Sequence, residues 1–271
     1  MTKPTGVTDD IRTYYDEHVE AKLRGLLQRN ARVEVGCRTI GEWAPASPSR
    51  ILEIGCGMGE VCWRMSRCYP HARIQGIDIS AKSIETARKL FSGDRLDFRQ
   101  ALVVPELFDT AFDLIVMMDV YEHIAREDRP ILHEALAKFL SPQGRLILTF
   151  PTPRKLAWLR QHDPKGIQPV DEDVTAATIF QVSQDTQTSI LFYREVDIWD
   201  TGDYAHAVLG RGGFLERVPP NPGLAGRVAR RLRLISGARN GMSRPPQAEI
   251  EQVIADRLGA EAVGRLRSST T

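Results

Sequence analysis

Three glycines alternate with other residues at Gly55, Gly57 and Gly59, directly after the aliphatic run Ile51–Ile54. Asp78 ends the next aliphatic run, 19 residues after Gly59. Glycine is needed where backbone takes a positive φ or must touch a ligand without a Cβ in the way. A strand, a glycine turn and a helix start aim backbone N–H groups into the crevice at the carboxyl ends of the strands. A carboxylate ending the second strand can accept hydrogen bonds from both ribose hydroxyls of a nucleoside, or simply start the next helix. A dinucleotide fingerprint requires a third glycine at position 60, where this chain has Glu60. That carboxylate would repel a pyrophosphate at the helix start. The turn therefore points to a nucleoside without phosphates, and a nicotinamide-dependent oxidoreductase is the least favoured reading.

A second cluster follows the apolar run Phe112–Met118: Asp119, Glu122 and His123. An imidazole there is chemically suited to take a proton from a hydroxyl near neutral pH. The competing reading is that Glu122 and His123 cap or pack the next loop. Two further histidines are candidates. His162 falls in a polar segment, 152–176, expected as a loop over the acceptor side. His206 falls with Asp203 and Tyr204 in Thr201–Leu209, a stretch that reads as helix. Exposed positions are the ordinary fate of both. Cys37, Cys56, Cys62 and Cys68 show no CxxC spacing, so they read as reduced thiols and no metal site is expected.

The elements that must position these residues alternate. Arg50–Gly55, Ile74–Ile79, Leu96–Gln100, Phe112–Met118 and Arg145–Phe150 read as strands. Glu60–Tyr69, Ala81–Phe91 (with Ser80 as N-cap) and Arg129–Leu140 read as helices. Such alternation implies right-handed crossovers and a parallel sheet covered by helices on both faces. Thr188–Val196 and Phe214–Val218 are two later strand candidates. Asp9–Gly36 is helical and amphipathic, and helices are expected again over 224–236 and 247–267. The expected division is a helical lid over 1–49, an α/β domain over 50–218 and a basic helical segment over 219–271.

The composition is ordinary: 271 residues, 42% hydrophobic, 26% charged and a net charge of +1. No apolar run reaches the ~20 residues that span a bilayer, and the polar, acidic start is not a secretory signal, so a cytoplasmic location is expected. Seven arginines and no acid lie between Arg217 and Ala248. Leu224, Val228, Leu232 and Ile235 share one helical face there, with Arg227, Arg230, Arg231 and Arg233 on the other. That helix either packs on the domain or rests on an anionic membrane surface. Basic charge confined to one late segment does not suit a nucleic-acid cleft, and no nucleic-acid partner is expected.

The strand Ile51–Ile54 with its alternating glycines, the acid Asp78, the stretch FDLIVMMDVYEHI and the stretch GRLILTFPTP together resemble class I S-adenosylmethionine-dependent methyltransferases. The resemblance covers roughly residues 10–218. It implies a Rossmann-like, seven-stranded, mostly parallel sheet with helical additions at both ends, and S-adenosylmethionine as cofactor. Glu53, Gly55, Cys56 and Gly57 would lie along its methionine part, with Gly59 of the same turn also binding the cofactor, Asp78 and Ile79 at the ribose and adenine edge, and Asp119 beside the methionine or the acceptor. Tyr14 and Tyr15 resemble the helical lid in which a tyrosine closes over the cofactor. Many members end the third strand with Gly-Asp; this chain has Gln100 and Ala101, whose amide or backbone would meet the adenine instead.

The resulting expectation is methyl transfer to a hydroxyl of a small molecule, glycan or carrier-linked acceptor, with His123, Asp119, His162 and His206 as candidate catalytic groups. Methylation of nitrogen is the alternative, and a noncatalytic cofactor-binding scaffold the reading from another class. The TFPTP turn resembles that of relatives acting on sugar, quinone and lipid-linked hydroxyls.

Overall fold

The computed structural model describes residues 9–212 and 242–268. Seven strands form a sheet: β1 (Arg50–Ile54), β2 (Arg73–Asp78), β3 (Leu96–Gln100), β4 (Phe112–Met118), β5 (Leu140–Pro151), β6 (Ser189–Val196) and β7 (Tyr204–Gly210). Their spatial order is β3-β2-β1-β4-β5-β7-β6. The first five run parallel, and β7 inserts antiparallel between β5 and β6. Strand order reverses between β1 and β4, so the crevice at a topological switch point opens over their carboxyl ends.

The period-two alternation of the strands sorts side chains onto two cores. Ile51, Leu114, Val116 and Ile147 face one, which also takes α2 (Val19–Gln28), α3 (Ala31–Trp43), α4 (Glu60–Cys68) and α5 (Ala81–Phe91). Leu52, Ile115, Met117 and Leu148 face the other, closed by α6 (Arg129–Phe139) and α8 (Ala176–Asp185). Near-continuous burial along β1, β4 and β5 is what a parallel sheet covered on both faces requires. Ser80 caps α5 as expected, its hydroxyl accepting from Ser83 N. Two C-terminal helices, α9 (Gln247–Leu258) and α10 (Ala260–Ser268), pack on α2 and α5. Among the described residues no helix is long and apolar enough to cross a membrane.

The amphipathic stretch Asp9–Gly36 is helical as expected, in three pieces, α1 (Asp9–Glu17), α2 and the start of α3, with Arg29 at φ 66° breaking the chain before α3. Other expectations are corrected. Segment 152–176 is not all loop: Pro153 sits at the first position of α7 (Pro153–His162), where its missing N–H costs nothing. Thr201–Leu209 is not helical. Tyr204–Gly210 is the buried strand β7, and a short, wholly buried run carries no period that separates strand from helix. The expected strand Phe214–Val218 and the arginine-rich helix 224–236 lie outside the described residues.

Candidate active site

The glycine turn is stitched to its neighbour strand. Gly55 N and Cys56 N both donate to Ile77 O, at 2.8 and 3.0 Å. Gly57, at φ 52°, donates its N–H to Asp78 Oδ2 at 2.8 Å, and Ser80 N donates to Oδ1 at 2.9 Å. Asp78 thus fastens the turn and begins α5, and it also lines the cavity above. A carboxylate has about four acceptor sites, so two backbone bonds leave room for ligand hydroxyls. Gly59 does something else: at φ 87° it is the left-handed N-cap of α4, and a Cβ there would stand 2.6 Å from the Phe98 ring. It packs the turn onto β3 and does not line the cavity.

That cavity, of about 470 Å³, lies within the range of small-ligand sites. On its β1 side stands Glu53, only 3% exposed, whose Oε2 has no hydrogen-bond partner among the described residues. Burial pushes its carboxyl up to about 8, against the opposing hydrogen bond from Cys62. An unsatisfied buried carboxylate beside a ligand cavity fits an incoming ammonium group. Lys22 of α2 reaches the same cavity, its Nζ 3.4 Å from where a Cβ on Gly57 would stand and 5.5 Å from the Tyr15 ring centre. Ile79 and Ala101–Val103 make the apolar wall beyond Asp78. Glu60 is ion-paired with Arg64 at 2.6 Å, so the start of α4 is less bare in charge than its sequence implies.

The opposite side is built at the end of β4. Asp119 adopts φ 54°, a left-handed conformation that aspartate tolerates, and its N–H donates to Thr149 O at 2.9 Å. Its Oδ2 lies 2.8 Å from Arg32 Nε. Asn30 caps α3 by accepting from Arg32 N, which sets that arginine in the first helical turn. Arg32 Nη1 also donates to the Tyr204 hydroxyl, at 3.5 Å. Burial pushes the Asp119 carboxyl up, while Arg32 and then His123 pull it back.

His123 lines the cavity from a 3-10 turn, Tyr121–His123. Its Nδ1 bonds Val170 O at 2.8 Å and lies 3.0 Å from Asp171 Oδ1. Desolvation would lower its pKa, but Glu122, Asp171 and the Val170 carbonyl raise it to about 9. Protonated at neutral pH, it holds the loop 168–173 through Val170 and Asp171, which is closer to the packing reading than to a free base.

The structure thus brings Tyr15, Glu53, Gly55, Cys56, Gly57, Asp78, Ile79, Ala101, Asp119 and His123 to one cavity. It leaves five candidates outside the lining. Tyr14 points from the same helix into a ring contact with His18, 4.1 Å between centres. Gln100 donates Nε2 to Ile79 O, so its amide braces the strand end and the wall is Ala101 onward. Gly59 is the packing residue described above. His162 is exposed at the end of α7, stacked on Trp158. His206 is 1% exposed within β7, sharing a 2.7 Å hydrogen bond with Thr39 Oγ1. Arg32 and Lys22 escaped the sequence reading, and Tyr204 entered it only as a neighbour of His206. Asn30 ahead of a helix was a signal for the first, but nothing local marks a contact between residues 32 and 204.

Residues 52–146 match the protein family described as "Methyltransferase domain". The ubiquinone biosynthesis O-methyltransferase of Chelativorans sp. is 40% identical over 108 residues, 38% of this chain and 41% of that protein. The mitochondrial ubiquinone biosynthesis O-methyltransferase of Schizosaccharomyces pombe is 30% identical over 143 residues, 51% of this chain and 50% of that protein. The chain spans about half the length, or less, of these relatives. Among solved structures, a geranyl diphosphate C-methyltransferase from Streptomyces coelicolor, held with S-adenosyl-L-homocysteine, superposes with a TM-score of 0.59 at 14% identity. It covers 77% of this chain and 100% of that one. An S-adenosylmethionine-dependent methyltransferase from Anabaena variabilis gives 0.57 at 19% identity, covering 78% of this chain and 98% of that one. At such identities the superpositions speak for the fold. With the glycine turn and Asp78, they give this chain the Rossmann-like fold of S-adenosylmethionine-dependent methyltransferases, with residues 52–146 matching a methyltransferase domain.

Proposed function

We propose that the protein transfers a methyl group from S-adenosylmethionine to a hydroxyl of a small, glycan or carrier-linked acceptor. The observation that carries this reading is that the glycine turn with Asp78 and the Asp119–Arg32 pair line one cavity. When bound, the cofactor supplies a methyl on a sulfonium as the electrophile. Glu53 would hold its ammonium, Lys22 its carboxylate, Asp78 its ribose hydroxyls and Ala101–Val103 its adenine. Alignment of acceptor and methyl within a closed site can lower the barrier by ~7–11 kcal/mol.

A hydroxyl must also lose its proton. Asp119 is the carboxylate placed to take it: burial raises its basicity while Arg32 keeps it ionised. His123 carries a proton already and serves by holding the loop 168–173. The O-methyltransferase names of the ubiquinone-biosynthesis relatives support this reading. The acidic side chains Asp119 and Asp171 near His123 favour a second one, in which the neutral form of an amine attacks the methyl and the ammonium product loses its proton to water. Transfer of label from radiolabelled S-adenosylmethionine into a host-cell extract, followed by phase partition, tests both. Loss of more than about a hundredfold in Asp119→Asn supports a hydroxyl acceptor, and a near-normal rate supports an amine. Residues 224–236 are proposed as a membrane-surface contact; glutamine at Arg227, Arg230, Arg231 and Arg233 should then abolish binding to anionic vesicles.

A further inference from the structure

The donor half of the cavity occupies the β1, β2 and β3 side of the crevice, which leaves the carboxyl ends of β4 and β5 and the amino end of β7 for the acceptor. The loop 197–203 rises at that edge, between β6 and β7, and displays Trp199 with 56% of its surface exposed. This loop is braced from within. The buried Asp203 carboxylate accepts from Ile198 N, Trp199 N and Asp200 N, at 2.9, 3.0 and 3.2 Å. Asp197 accepts from Gly202 N at 2.7 Å, and Arg154 and Thr152 both donate to Gly202 O at 2.9 Å. A large aromatic ring held in water by a rigid loop gives up burial that a core position would have gained, and pre-ordered rings of this kind suit ligands.

The ring is tied to the reacting centre by a short relay. Trp199 meets the Tyr204 ring edge-to-face, centres 5.8 Å apart; the Tyr204 hydroxyl accepts from Arg32, and Arg32 pairs with Asp119. Polar groups flank it. Asp200 pairs with Lys155 at 2.7 Å, and Lys155 lies 4.8 Å over the Trp158 ring, which also stacks on His162. Glu195 and Asp197 lie on the same approach, beside Arg154 and Gly202. A hydrocarbon tail laid here would strip water from these charges without returning hydrogen bonds, and a phosphate would meet carboxylates. A sugar ring satisfies both features: its C–H face covers the indole while its hydroxyls bond carboxylate and ammonium.

We propose that Trp199 is the outer wall of the acceptor subsite, stacking on one pyranose ring of an oligosaccharide whose neighbouring ring presents its hydroxyl to Asp119. Asp200 and Lys155 bond the hydroxyls of the outer ring. The proposal rests on the methyl-transfer reading and narrows its acceptor to a glycan of at least two rings.

The test is a titration of the intact chain, with and without saturating S-adenosylhomocysteine, by maltopentaose, cellopentaose, mannopentaose and chitopentaose. Each is taken to about 10 mM, above millimolar dissociation constants. The Trp199 indole N–H signal is the readout, assigned with Trp199→Phe. At least one sugar shifts that signal. Trp199→Ala then weakens its binding about tenfold or more, and Trp199→Phe, which keeps a stacking ring, retains most of it. S-adenosylhomocysteine affinity is unchanged in both variants. Three results overturn the proposal: no sugar moves the signal, Trp199→Ala binds as the parent does, or a hydroquinone moves the signal where sugars do not. If S-adenosylhomocysteine itself fails to bind, the methyl-transfer reading falls, while the sugar titration still judges the subsite.

Discussion

Arg32 Nε stands 2.8 Å from Asp119 Oδ2, joining the first turn of α3 to the end of β4 beside the cavity. The aspartate is 10% exposed and the arginine 33%. Arg32→Met therefore strands a carboxylate that is largely out of water. The expected cost is about 2 kcal/mol, below that of a fully buried pair because Arg32 is partly solvated. Adding Asp119→Asn should return part of that loss, giving a coupling of about 1 kcal/mol in chemical denaturation. Strict additivity would contradict the pairing.

Glu53 sets stability against binding. Its folded-state pKa of about 8 lies above the ordinary 4.5, so its destabilising effect is absent in acid and develops as pH rises from 4.5 to 8. Glu53→Gln should then stabilise the ligand-free protein by about 1–3 kcal/mol near pH 8, and progressively less toward pH 5. An ammonium ligand ionises Glu53, so binding releases a proton and affinity for S-adenosylhomocysteine rises between pH 6 and 8. Glu53→Gln should bind more weakly and lose that slope. Calorimetry across the pH range reads both effects.

The glycines of the turn divide by role. Gly59→Ala adds a methyl 2.6 Å from the Phe98 ring at φ 87°, and should cost about 3 kcal/mol of fold stability. Gly57→Ala meets only the end of the Lys22 side chain, 3.4 Å away, though at φ 52°. It should cost about 1 kcal/mol in stability, yet weaken S-adenosylhomocysteine binding about tenfold or more. Thermal melts and ligand titrations on the two variants would contradict this division if the losses were reversed.

His206 is a structural group with a pH signature. Burial holds its pKa down to about 4, against the usual 6.5. The stability due to its neutral form is present above 6.5 and is lost as pH falls toward 4. His206→Gln should flatten that part of the stability profile and leave S-adenosylhomocysteine affinity unchanged. A changed affinity would put His206 in the site.

What the sequence made legible were features whose partners lie nearby in the chain or whose chemistry forces the residue type. Gly55 and Gly57 need positive φ, and Asp78 ends the strand next to theirs. The parallel core was legible because β1, β4 and β5 are short apolar runs bounded by helices. Asp119 and His123 were found from their place after β4, but the charge on His123 was not. That depends on how Glu122 is placed beside the ring and on Asp171, which a loop brings back from 48 residues further along. β7 was missed because Tyr204–Gly210 is buried on both faces, so its sequence shows no alternation. Arg32 and Tyr204 meet only because β7 inserts beside β5, a topology no local pattern encodes.

The most direct test of the account is a calorimetric titration of the intact chain with S-adenosylhomocysteine, run beside NADH. Saturable one-to-one binding of S-adenosylhomocysteine with no response to NADH is the predicted result. No binding of S-adenosylhomocysteine, or binding of NADH in its place, would contradict it.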